Sequence, residues 1–231
     1  MSADVCAVLG PEVSECLTAV VEKHGSDGSG CTVLDCLAAR DLLSGDRAVC
    51  LVCLMHTPVH HRNVLARLGV PKPETHAALY FVDALSQLGS ISGCSPDDLF
   101  SQVIKVISAA QVSGISHLSL ILDDVSVLLD VGWDLQQVIS FLSRLRTLKL
   151  ASMAVLTHAA GADTLSSLLA AALIHSSDTA VSVLPLSTGV SADVSGTLII
   201  RHLQRPNDTP QTFHFRLMDR QVKVFAPGSI R

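Results

Sequence analysis

Residues 25–32 read GSDGSGCT. Gly25 and Gly30 stand five apart and Thr32 follows two residues later, which is the spacing of a phosphate-binding loop. In such a loop the glycines let backbone amides wrap the phosphates, and the hydroxyl reaches a magnesium ion. The lysine that normally precedes the hydroxyl residue is replaced by Cys31. Fourteen glycines in 231 residues give roughly one pair at this separation by chance, so the flanking sequence has to decide.

The chemistry at stake is phosphoryl transfer. There the protein supplies positioning and charge, and the loop lysine neutralises the β and γ phosphates as the transition state develops. Cysteine is short and uncharged, and losing a group of this kind costs a few kcal/mol, on the order of a hundred- to a thousand-fold in rate. Lys23 precedes the turn and is poorly placed to substitute. A second signature of a phosphate-loop ATPase is a buried strand ending in an acid that serves the magnesium shell. The run LSLILDD, ending at Asp123 and Asp124, has that form. Gly25, Gly30, Thr32 and Asp123 therefore read as a degenerate nucleotide site.

Other chemistries find less support. Cys50 and Cys53 form a CxxC followed by His56, His60 and His61, which raises zinc. However, AVCLVCLM reads as a buried strand, where an i, i+3 pair points to opposite faces instead of converging on one ion. No metal is expected on that ground. No GxSxG elbow and no HExxH occurs. His158 follows MAVLT at a strand end, where functional loops of open α/β sheets gather, so it reads as either a site residue or a partly exposed loop histidine.

The elements that must position these residues follow from hydrophobic periodicity. LTAVV (17–21) is a short β-branched run before the loop. After the loop, Leu34, Leu37, Ala38 and Leu42 fall at helical spacing, with Gly45 as the stop. Strand-like runs at 48–55, 78–82, 118–122 and 153–157 alternate with helical segments. One is HHRNVLARL, ending at Gly69. A second follows Ser95 as cap, Pro96 at its first position and two aspartates in its first turn. A third is DLQQVISFLSRLR, capped by Asp134, with Leu135, Val138, Ile139, Leu142 and Leu145 on one stripe. Strands separated by helices imply a parallel sheet covered on both faces. From residue 180 onward AVSVLPL, GTLIIRHL, QTFHFRLM and QVKVFA read as strands joined by turns. The expectation is one α/β domain over 1–231, a βα core over 1–179 and an antiparallel extension of the same sheet over 180–231.

Composition narrows the function classes. With 48% hydrophobic and 16% charged residues the chain reads as globular and core-rich. Its apolar stretches are too short and too punctuated to span a bilayer. The N-terminus lacks a signal-peptide pattern, and seven cysteines in that context read as reduced thiols of an intracellular, cytoplasmic protein. Only 3% of residues are Phe, Tyr or Trp, so no stacking platform for bases is expected. The net charge is −5, yet residues 200–231 hold six Lys or Arg against Asp208 and Asp219, a net +4 that leaves −9 on residues 1–199. A basic end on an acidic body suggests an oriented contact with RNA or with an acidic partner. The residues concerned include Arg201, Arg205 and Arg216.

Four blocks occurring in order, RAVCLVCL, VLARLGV, LILDDVSVLLDVGWDLQQVISFL and KVFAPGSIR, resemble the Elongator complex protein 6 family over almost the whole chain. The resemblance implies a RecA-like fold that has kept the ATPase architecture while losing its nucleotide motifs, without catalytic residues or a cofactor. It implies assembly with Elongator subunits four and five into a heterohexameric ring, two copies of each. That ring binds tRNA and serves modification of the wobble uridine, in the cytoplasm and with the nucleus as a further compartment. On this reading Arg201, Arg205, Arg216 and His158 are the residues expected at tRNA. The alternative from the residues alone is an active P-loop ATPase or small kinase with an unusual loop.

Overall fold

The central strands of this chain are too apolar to leave a face in water. The structure, a computed structural model, describes residues 3–10, 16–23, 29–88, 94–159, 161, 164–186, 189, 191, 193–204 and 209–228. Strand β1 (Leu17–Lys23) is buried through Glu22, and β2 (Ala48–Cys53) and β4 (Leu118–Asp123) are buried along their whole length. With β3 (Leu79–Asp83), β5 (Ser152–Ala159) and β6 (Thr179–Leu184) they form the parallel part of one sheet, the arrangement in which helices can cover both faces. Strands β7 (Gly196–His202), β8 (Gln211–Met218) and β9 (Gln221–Phe225) complete a nine-stranded sheet in the order β3-β2-β4-β5-β1-β6-β7-β8-β9.

The change of strand direction comes one strand later than residue 180. β6 runs parallel to β1 and is antiparallel only to β7, which then pairs antiparallel to β8, and β8 to β9. The segment 180–184 therefore closes the parallel half, and the antiparallel extension begins at Gly196. That glycine is required by close approach, because a β-carbon there would lie 2.7 Å from the Leu184 carbonyl oxygen and 2.8 Å from the Phe215 ring.

Two hydrophobic layers flank the sheet. On one face α1 (Ala3–Leu9), α2 (Ser29–Ser44) and α3 (Pro58–Arg67) bring Leu9, Leu34, Leu42 and Leu65 against Val20, Val49, Leu51 and Leu156. On the other, α5 (Pro96–Val112), α7 (Leu135–Arg146) and α8 (Thr164–Ser176) bring Leu99, Val103, Val138, Leu142 and Leu169 against Ala19, Cys50, Val52 and Val155. Two short helices, α4 (Leu85–Leu88) and α6 (Ser126–Asp130), complete the set of described helices. Each fully buried Leu or Val contributes roughly 1.5–3 kcal/mol. Cys50 belongs to one layer and Cys53 to the other, so the CxxC straddles the sheet as strand alternation requires.

Helix starts are fixed by their caps. Ser95 accepts from the Asp98 N–H while Asp98 accepts from the Ser95 N–H, and Asp134 and Gln137 make the same reciprocal pair at α7. Thr57 accepts from the His60 N–H with Pro58 in the first turn of α3, and Gly45 takes the left-handed conformation (φ +79°) after α2. Caps of this kind are worth about 1 kcal/mol each. The α3 cap matters most for function, because it sets where His61 enters the sheet edge.

Candidate functional site

Strands β1, β2, β4 and β5 are parallel neighbours or near neighbours, so their C-terminal ends open on one edge, where open α/β sheets place their ligands. The phosphate-loop residues fall there only in part. Gly25 lies outside the described residues. Gly30 is in the first turn of α2, where free amides and the helix dipole favour an anion. The anion it meets belongs to the chain: the Gly30 N–H donates to Glu22 Oε2 at 2.8 Å. A β-carbon on Gly30 would sit 2.5 Å from that oxygen and 2.7 Å from Leu156 Cδ1. Any larger residue here would force the Glu22 carboxylate and the Leu156 methyl to move. Cys31 is buried, with its Sγ 3.7 Å from Asp35 Oδ2, and Thr32 is half-buried beside it.

Asp123 closes β4 with no exposed surface. Its Oδ2 lies 2.8 Å from His56 Nδ1 and 3.2 Å from His61 Nε2, while its Oδ1 is buried without a hydrogen-bond partner among the described residues. The His61 Nδ1 in turn lies 2.8 Å from Asp35 Oδ1. His56 comes from the turn after β2 and His61 from the first turn of α3. Because β2 pairs directly with β4, with Cys53 opposite Asp123, both rings reach the aspartate. Asp123 and Asp124 are joined by a cis peptide.

A second group lies beside the first. Asp124 accepts from the Ser126 N–H (2.9 Å) and hydroxyl, and its Oδ2 meets His158 Nδ1. The His158 Nε2 is 3.4 Å from Glu22 Oε2, the oxygen that holds Gly30. His158 is thus committed to two buried carboxylates at the end of β5.

The electrostatics follow from four buried carboxylates, Glu22, Asp35, Asp123 and Asp124, facing three imidazoles. Burial opposes charge on His61, but the hydrogen bonds its ring donates to Asp123 and Asp35 outweigh it and hold the ring well above its ordinary pKa. The Asp123 hydrogen bond likewise raises His56. Burial alone would raise Asp123; its two histidines hold it below the usual carboxylate range. The Asp124 and Glu22 hydrogen bonds push His158 up to about 10. Burial, reinforced by Asp35, pushes the Cys31 thiol well above its ordinary value. Phosphates brought to this edge would meet carboxylates in place of a lysine.

The basic residues are elsewhere. β7 and β8 lie beyond β1 and β6 from β5, so His158 is not brought together with the arginines. The ladder pairs Arg216 with Lys223 and Thr197 with His214, which sets Arg201, Arg216 and Lys223 on one face of the extension. The opposite face, carrying Leu198, Ile200, Phe215 and Val222, packs into the core. Arg201 is exposed, and the Arg216 guanidinium is 3.1 Å from Asp193 Oδ1. Arg205 lies outside the described residues.

Sequence reasoning missed Glu22, Asp35 and the convergence of His56 and His61 on Asp123. The signal was present in part. A lone acid in LTAVVEK and another in the apolar helix VLDCLAA have no low-cost place in a core unless they are paired.

A sequence model described as Elongation complex protein 6 matches residues 83–219. Elongator complex protein 6 of Drosophila melanogaster is 26% identical over 216 residues, covering 86% of each chain, and that of Xenopus laevis is 27% identical over 211 residues, covering 78% of this chain and 80% of its own. Among solved structures, a KaiC-like protein of the archaeon Pyrococcus horikoshii superposes with a TM-score of 0.64 at 13% identity over 92% of this chain and 90% of its own. An uncharacterized protein of the same archaeon, solved with an unknown peptide, gives 0.66 at 14% over 93% of each chain. At such identities the solved structures establish the fold, which is RecA-like and KaiC-like.

Proposed function

This chain belongs to the Elongation complex protein 6 family, and from that membership we propose that it acts as a non-catalytic RecA-like subunit of Elongator. It assembles with Elongator subunits four and five into a heterohexameric ring that binds tRNA and supports wobble-uridine modification. Its place of action is the cytoplasm, with the nucleus second. No described helix is long and apolar enough to cross a membrane.

One observation carries the non-catalytic reading: the Glu22 carboxylate on the Gly30 amide, beside Cys31 where a lysine would stand. A phosphate would have to displace a tethered anion from a helix N-terminus and then sit against Asp35, Asp123 and Asp124. Unit charges about 4 Å apart at an effective dielectric of 20 interact by about 4 kcal/mol, and the three imidazoles are already committed to the four carboxylates, so among the described residues no cation of this cluster is left to hold a phosphate beyond what one helix end supplies. The same observation counts against an active P-loop ATPase or small kinase. A fold that has lost this chemistry still offers surfaces on which neighbouring subunits pack.

The tRNA contact is supported by the shared face of Arg201, Arg216 and Lys223 on the antiparallel extension. His158 contributes to the fold and not to this surface. Purified chain should show no ATP turnover above background, and charge reversal on the extension should weaken tRNA binding by the assembled ring without dissolving it. Turnover of about one per second or faster would contradict the reading.

A further inference from the structure

We propose that Cys31, His56, His61 and Asp123 form a tetrahedral site for a divalent zinc-type cation at the C-terminal edge of the sheet. One donor atom from each of these side chains lies within 4.8 Å of every other. A tetrahedral ion with bonds of about 2.0–2.3 Å needs neighbouring donors roughly 3.3–3.7 Å apart. The observed 2.8 Å from His56 Nδ1 and 3.2 Å from His61 Nε2 to Asp123 Oδ2 are therefore within a small side-chain adjustment of that geometry.

Three further features point to an ion. First, Asp123 Oδ1 is buried without a hydrogen-bond partner among the described residues. A carboxylate with no exposed surface leaves such an oxygen idle at a cost of about 1–3 kcal/mol, and an ion held by Oδ2 with Oδ1 leaning onto it would satisfy both oxygens. Second, Asp35 Oδ1 lies 2.8 Å from His61 Nδ1 and so turns Nε2 toward Asp123. An outer carboxylate orienting a ligating imidazole in this way is the usual support of a histidine–zinc bond. Third, His56 keeps 31% of its side chain exposed, which gives the buried ligands a way in from solvent, with the His60 ring stacked 4.4 Å outside it.

The donor set selects the class of ion. Two imidazoles, one thiolate and one carboxylate suit a borderline ion such as zinc, whereas magnesium and calcium prefer oxygen ligands. Binding displaces the Cys31 thiol proton and the protons that His56 and His61 share with Asp123 into solvent, after which the thiolate and carboxylate together carry the charge that neutralises a divalent ion. The ion would tie the start of α2, the β2–α3 turn and the end of β4 together, at the edge where ATPases of this architecture hold their phosphates. Cys50 takes no part, since its side chain lies on the other face of the sheet.

The test uses the untagged, metal-stripped full chain titrated with cobalt(II) and then with zinc(II) against a fluorescent chelator. One cobalt per chain should bind with the intense visible bands of a tetrahedral site and a thiolate-to-cobalt charge-transfer band. Cys31→Ser should lose the charge-transfer band. His56→Ala, at a partly exposed position and with its circular dichroism checked against wild type, should weaken zinc binding at least about 10–100-fold, and His175→Ala should leave it unchanged. Failure of the wild-type chain to bind cobalt, a weak octahedral spectrum, or equal zinc affinity in wild type and His56→Ala would each overturn the site.

Discussion

Glu22 and Gly30 are joined by a 2.8 Å hydrogen bond from the Gly30 N–H to Glu22 Oε2, a link between the last buried residue of β1 and the first turn of α2. The glycine that makes this segment look like a phosphate-binding loop is held to its own chain by a carboxylate.

Two defects therefore stand between this segment and a nucleotide, the missing lysine and the internal anion. Cys31→Lys alone is expected to leave ATP binding undetectable, because Glu22 still occupies the amide. The double variant Glu22→Ala, Cys31→Lys should gain measurable affinity, by at least about tenfold, corresponding to about 1.4 kcal/mol. Titration with a fluorescent ATP analogue checks this, and equal affinity in the single and double variants would remove the anion from the account.

Gly30→Ala puts a methyl 2.5 Å from Glu22 Oε2 and 2.7 Å from Leu156 Cδ1. Overpacking of this kind costs about 1–3 kcal/mol. Urea unfolding should register the loss, and adding Glu22→Ala should recover part of it. A Gly30→Ala chain as stable as wild type would mean that the close approach does not hold this residue to glycine.

His158 gives the fold a pH signature. Its pKa is raised to about 10 from an ordinary value of 6.5, by Asp124 first and Glu22 second. A group protonated more tightly when folded stabilises the fold fully below its ordinary pKa and loses that contribution as pH rises through the folded value. The stability advantage of wild type over His158→Gln should therefore be constant below about pH 6.5 and shrink across the interval up to about pH 10. Denaturant midpoints of the two chains at a series of pH values measure it. An advantage that grows with pH would refute the ion-pair assignment.

Arg201, Arg216 and Lys223 share one face of the extension, and each phosphate contact adds about 0.7–0.9 to the slope of log affinity against log salt. Reversing all three to Glu in the assembled complex should weaken tRNA binding and lower that slope by up to about 2–3. Reversal of Asp193, the partner of Arg216, should strengthen binding. An unaltered salt slope in the triple variant would rule out this face.

Much of this architecture was legible locally. AVCLVC reads as a buried strand because it is apolar on both faces, and the starts of α5 and α7 are written in Ser95-Pro96 and Asp134 by cap chemistry. The direction of β6 was not legible, since strand pattern does not encode its neighbour. The site was legible only in fragments. Asp123 was marked by the apolar run before it, but His56 and His61 lie more than sixty residues upstream and meet it only because β2 inserts beside β4. The histidines could be tested from sequence only against Cys50 and Cys53, which sit on opposite faces. Their actual partners are Asp123, supplied by the order of strands in the sheet, and Asp35, supplied by the packing of α2 on that sheet.

The most direct measurement is the native mass of the complex formed when this chain is co-expressed with Elongator subunits four and five from the same source. The account predicts a heterohexamer containing this chain, in equal proportion to its partners, with no added ATP needed to form it. A chain that remains alone while the other two assemble without it would contradict the account.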